Sequence, residues 1–130
     1  MTVMYGPFDK QLELRNIADG AEASTAAENG IDFDVGMAGD FKAIVYVSER
    51  AATGTCTISI ETDSEAAFGD APVAVASVTV AASTTGVFEM PLSAAQIARL
   101  DPDATAIRVN ATLGGSSPSV TYGAYLAPAV

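Results

Sequence analysis

Two alternating segments near the C-terminus, 106–113 and 119–126, constrain this chain more than any other stretch. In the first, Ile107, Val109, Ala111 and Leu113 share one face, and Arg108, Asn110 and Thr112 share the other. In the second, Val120, Tyr122, Ala124 and Leu126 oppose Thr121, Gly123 and Tyr125. Such a period of two belongs to strands buried on one side. Between them Gly114, Gly115, Ser116, Ser117 and Pro118 supply residues that tolerate positive φ or pre-set a bend. The pattern predicts an antiparallel hairpin, and it carries no catalytic group.

The rest of the chain extends this all-β reading. Residues 1–8 read as an irregular arm closed by Gly6 and Pro7, ahead of a single domain over 9–130. Leu12 and Leu14 then alternate with Gln11, Glu13 and Arg15, and a polar, Ala-rich stretch follows to Gly30. Ile31, Phe33 and Val35 alternate with Asp32 and Asp34. Segment 41–47 is the most apolar strand and offers hydrophobic groups to both faces. In 55–62, Cys56, Ile58 and Ile60 oppose Thr57, Ser59 and Glu61. An acidic loop holding Phe68 leads to a β-branched strand over 73–80, whose apolar parity changes near Ala76 and Ser77; a bulge accounts for such a change. Another short strand covers 86–90.

One helix is expected, over 93–100. Ser93 and Gln96 make an S-x-x-Q capping box, Leu92 and Ile97 stand where a hydrophobic staple needs them, and Pro102 ends the run. At two turns it connects strands rather than forming a layer. About eight strands with one short helix near 93–100 predict a two-sheet antiparallel β-sandwich, of which the jelly roll is the eight-stranded form.

At 130 residues the chain can sustain one core, although Ala supplies much of its apolar 49%. Sixteen acidic residues against six basic ones leave a net charge of −10, so nucleic acid and anionic membranes are repelled rather than steered in. A lone Cys56 forms no internal disulfide, and neither a leader pattern nor an apolar run long enough to span a membrane is present. These features predict a soluble protein made in a cytoplasm.

The absence of His removes the commonest general base, the Ser-His and Cys-His pairs and His-based metal sites. Cys56 falls on an inward strand face and reads as core. Carboxylates pair as Asp32/Asp34, Glu61/Asp63/Glu65 and Asp101/Asp103, but a glycosidase also wants a groove of stacking aromatics and Trp is missing. These acids read as solvated charges that discourage edge-to-edge aggregation. Neither Asp63-Ser64-Glu65 nor Asp101-Pro102-Asp103 fits the spaced EF-hand loop for calcium. Gly114 and Gly115 lack the following helix and the Lys of a phosphate loop. No enzyme, cofactor or metal is therefore expected. Met4, Tyr5 and Phe8 precede the first strand with no core position assigned, and Ile44 and Tyr46 lie opposite the Ala43/Val45/Val47 face. Both sets either pack within the domain or anchor a subunit or partner interface, for which aromatic and Met residues are enriched.

Four stretches taken together resemble one family. They are Asp9-Lys10-Gln11-Leu12-Glu13-Leu14; Asn29-Gly30-Ile31-Asp32-Phe33; Gly54 through Asp63, running on to Phe68; and Ile107 through Gly115 with Val120-Thr121-Tyr122-Gly123-Ala124. In this order, over nearly the whole domain, they are similar to the jelly-roll capsid cement (decoration) proteins of tailed bacteriophages. Residues 1–8 extend beyond the usual start, the loop to Asn29 is long, the 92–100 connection replaces a shorter Pro/Gly turn, and Ala106 stands where an aromatic is common.

What the resemblance implies is a viral structural protein on the outer capsid surface of the virion, made in the bacterial host cytoplasm. It would bridge neighbouring major capsid protein subunits as a dimer or trimer and stabilise the expanded shell by binding, not chemistry. A tail or head-fibre domain, or a carbohydrate-binding or adhesion module, is the alternative.

Overall fold

A computed structural model describes residues 12–32, 39–65, 67–69 and 72–128. Ten strands form two antiparallel sheets: β1 (Glu13–Arg15), β2 (Ala21–Glu22), β3 (Ala26–Ala27), β4 (Ile31–Asp32), β5 (Asp40–Arg50), β6 (Thr55–Asp63), β7 (Val73–Thr79), β8 (Gly86–Ser93), β9 (Ala106–Gly114) and β10 (Val120–Pro128). The first sheet runs β1–β10–β5–β8, with β2 beside β1 on the same edge of β10; the second runs β3–β9–β6–β7, with β4 also on β9. The ten strands thus fill eight positions, in the order of a jelly roll. The expected two-sheet β-sandwich is the observed architecture.

The core lies between the sheets and follows the alternation. Ala43, Val45 and Val47 from β5 and Val120, Tyr122, Ala124 and Leu126 from β10 face Cys56, Ile58 and Ile60 from β6 and Ile107, Val109 and Ala111 from β9. The predicted C-terminal hairpin is corrected. β9 pairs with β3, β4 and β6, whereas β10 pairs with β1, β2 and β5, so the turn between them carries the chain from one sheet to the other. Alternation reports which side of a strand is buried; it does not report the neighbour.

The expected bulge in the β-branched strand is present. Ile60 pairs with Ala76 and Glu61 with Ala74, which leaves Val75 as the extra residue. The helix, α1 (Ala94–Leu100), starts where predicted: the Ser93 hydroxyl accepts the Gln96 N–H at 3.1 Å, and Leu92 and Ile97 are both buried. It follows β8 in the chain and packs against β7 and β8, the edge strands of the two sheets.

Two further bulges turn two arginines inward. Glu13 pairs with Tyr125 but Arg15 with Ala124, so Leu14 is extra and Arg15 shares the core-facing side of Ala124. Similarly Val47 pairs with Tyr122, Glu49 with Thr121 and Arg50 with Val120, which leaves Ser48 extra. The strict alternation expected for 11–15 puts Arg15 opposite Leu14; both are buried.

Candidate interaction surface

All three guanidinium nitrogens of each inward arginine are hydrogen-bonded. Arg15 donates through Nη1 to the Tyr122 carbonyl at 2.5 Å and through Nη2 to the Gly20 carbonyl at 3.0 Å, and ion-pairs with Glu22 at 2.9 Å and Glu28 at 3.3 Å. Its guanidinium carbon stands 4.5 Å from the centroid of the Tyr122 ring, a cation–π distance. It therefore ties the 16–28 excursion to β10. Among the described residues, Arg50 is held without a carboxylate. Nε donates to the Val80 carbonyl at 3.1 Å, Nη1 to those of Ala51 and Thr53 at 2.8 and 3.0 Å, and Nη2 to that of Gly54 at 2.9 Å. Four carbonyl dipoles thus solvate one buried cation and clamp the 51–54 turn. The alternation pattern conceals both roles, because each depends on a bulge.

The acidic residues divide among different tasks. Glu61 accepts from Arg108 at 2.8 Å, and the Arg108 guanidinium lies 4.2 Å from the Phe68 ring centroid. Phe68, at positive φ, also lies where any side chain at Gly30 would have to go. The 63–69 loop is thereby folded down on the outside of the second sheet. Asp101 accepts from Thr62 at 2.8 Å, Asp63 is buried with Oδ1 on the Ser64 N–H, and Asp32 is exposed. Asp34 lies outside the described residues. Among the described residues no three carboxylate or thiol groups gather closely enough to hold a metal ion.

Of the five residues singled out for an interface, Met4, Tyr5 and Phe8 lie outside the described residues. The other two come together on the outer face of the first sheet. Ile44 pairs with Tyr125, and Tyr46 with Gly123, whose missing side chain leaves room for the Tyr46 ring. The Tyr46 and Tyr125 rings meet edge to face with centroids 6.3 Å apart. With Ala127 they form an apolar cluster separate from the main core. On the β8 side it is bounded by the Lys42–Glu89 ion pair at 3.3 Å, and Val87, the register partner of Tyr46, is 39% exposed. Burial pushes the Tyr46 phenol above the ordinary tyrosine range, with Glu13 and Tyr125 adding to the effect.

Tyr125 and Ala127 belong to this surface as much as Ile44 does, and sequence reading missed them. Their position on the polar side of β10 held the signal, since neither residue is polar in character. Ile44, Tyr125 and Ala127 are already buried within the single chain and Tyr46 is half-buried, so the exposed apolar part of this face is Val87 with the edge of the Tyr46 ring. No protein-family model matches the chain, and no curated protein is significantly similar to it.

Proposed function

We propose that this chain is a capsid cement protein of a tailed bacteriophage, acting by binding the outside of the icosahedral head. The observation that carries the reading is where the resembling stretches fall. Their described residues fall in β1, β4, β6 and the β9–β10 crossover, in chain order within one jelly roll. The net charge of −10 also suits a molecule crowded among many copies of itself, where like charge opposes aggregation.

Its mechanism is selective binding. A site composed of two neighbouring capsomers is complete only after the shell expands, so occupancy stabilises the expanded state by the difference in affinity between the two states. A dimer or trimer that touches several major capsid subunits gains effective concentration at each further contact, and modest single contacts suffice. The contact surface in this reading includes the arm residues Met4, Tyr5 and Phe8 and the outer face of β5 around Ile44 and Tyr46.

The test is co-sedimentation with capsids of the phage that encodes the chain. Saturable binding to expanded shells, with little to unexpanded ones, is the expected outcome. Equal binding to both, or to neither, removes the cement reading. Electron microscopy that locates the protein on tails or fibres assigns it to another part of the virion.

A further inference from the structure

A sheet edge left open is a template for another strand, and proteins blunt such edges with very short strands, charge or proline. Three of the four edges described here are blunted. Among the described residues the β10 side of the first sheet ends in β1 and β2, of three and two residues, and the β9 side of the second ends in β3 and β4, of two each. β8, the other edge of the first sheet, carries Pro91 and the exposed, ion-paired Glu89. The fourth edge is β7, whose sequence Val73-Ala74-Val75-Ala76-Ser77-Val78-Thr79 holds no charge and no proline. Beyond the bulge at Val75 its pairing with β6 is regular. The Val80 N–H donates to the Cys56 carbonyl at 2.9 Å, and hydrogen-bonded pairs alternate along an antiparallel ladder. Val78 and Ala76 therefore also bond to β6, whereas the N–H and C=O groups of Ser77 and Thr79 point away from it. Both residues are exposed, and among the described residues no strand pairs with them from the open side.

We propose that a second copy of this chain occupies the β7 edge, pairing β7 with β7 antiparallel about a two-fold axis, so that the second sheet runs on from one copy into the other. The strand is self-complementary. With the axis at Val78, Ser77 lies opposite Thr79 of the second copy and exchanges both backbone hydrogen bonds with it. The two hydroxyl side chains then stand side by side, a favourable cross-strand pair. Charge selects both the place and the occupant. The chain carries −10, yet the rows behind this edge on the outer face are Thr79, Thr57 and Thr112, then Ser77, Ser59 and Asn110. A basic partner finds no carboxylate to grip on these rows, whereas an acidic one, such as a second copy, meets no like charge. An isologous contact of this kind uses up both open edges and closes at the dimer, leaving no template for further growth. This inference concerns the free protein and does not rest on the cement reading.

The experiment follows the full chain from micromolar to millimolar concentration by sedimentation velocity, with backbone amide exchange read by NMR. The 13.2 kDa monomer should give way to a dimer as concentration rises. Over the same range, exchange at the Ser77 and Thr79 amides should slow about tenfold or more, because the dimer bonds them. Exchange at Val78, bonded to β6 in either state, should change little. Replacing both residues, Ser77→Lys with Thr79→Lys, should leave a folded monomer at every concentration, since edge lysines block strand addition. Those lysines lower the net negative charge, so general repulsion between copies does not explain the loss. A chain that stays monomeric at millimolar concentration, a trimer, or a lysine variant that still dimerises overturns the proposal. So does a dimer in which the two amides exchange as freely as in the monomer. The amide comparison in the natural chain decides the matter if the lysines disturb folding.

Discussion

Arg50 shows most clearly what one residue does here. Its guanidinium satisfies four backbone carbonyls around the 51–54 turn and the end of β7. Hydrogen bonds to a charged group are each stronger than neutral ones, and stranded buried carbonyls carry a desolvation penalty. Arg50→Ala is expected to lower unfolding free energy by about 3 kcal/mol, and Arg50→Lys by less, since an ammonium has three donors where this site uses more. Denaturant unfolding with an unchanged m-value checks this. Tyr122 behaves in the opposite way, because its buried hydroxyl has no hydrogen-bond partner among the described residues. Tyr122→Phe keeps the ring beneath Arg15 and should change stability at neutral pH by no more than about 1 kcal/mol. The same hydroxyl matters in alkali. Burial raises the Tyr122 phenol far above its ordinary range, against the pull of Arg15, and burial also raises the Cys56 thiol against the pull of Arg50. The unfolded chain ionises these groups from about pH 8.5 for the thiol and about pH 10 for the phenol, while the fold keeps them protonated. Stability is thus fully present below that range and falls as pH rises through it. Urea midpoints between pH 7 and 11 should show this decline, with a shallower slope above pH 10 in Tyr122→Phe.

Elements were legible to the extent that their signals are local. The α1 cap is a contact between residues three apart, and Ser93 does accept from Gln96 as its spacing requires. The β7 bulge was legible because a parity change leaves a trace in the apolar pattern, and Val75 is where the extra residue falls. The bulges at Leu14 and Ser48 left no such trace, since each redirects a single arginine that reads as an ordinary surface charge until its partners are known. On the outer face of β5 and β10 the candidate surface was half legible. Ile44 and Tyr46 stand out within the most apolar strand, whereas Tyr125 and Ala127 hide on the polar side of an alternating one. Gly123 links the two strands there, because Tyr46 occupies the space its side chain would take. Gly123→Ala should displace that ring and cost about 1–3 kcal/mol, the usual range for overpacking. A thermal scan, together with a change in the Tyr46 ring signals by NMR, checks the prediction.

For the whole molecule, fold class was legible and strand order was not. Alternation, turn residues and a strand count near eight suffice for a sandwich, but pairing between distant segments leaves no mark in a single sequence. That is why 106–113 and 119–126 looked like partners yet belong to opposite sheets. Their true placement has a consequence for how the protein is made. All four described strands before residue 33 pair only with β9 or β10, the last two described strands. Those last strands also sit in the interior of their sheets, beside β6 and β5. While the chain is being translated, these early strands wait without partners until β9 and β10 have been synthesised. The four short early strands complete their sheet edges only by long loop closures onto β9 and β10, whereas β5–β8 and β6–β7 can pair before them. Assembly of this sandwich is in effect postponed until β9 and β10 have left the ribosome, and during that interval the exposed apolar faces of β5 and β6 are what a chaperone would meet first.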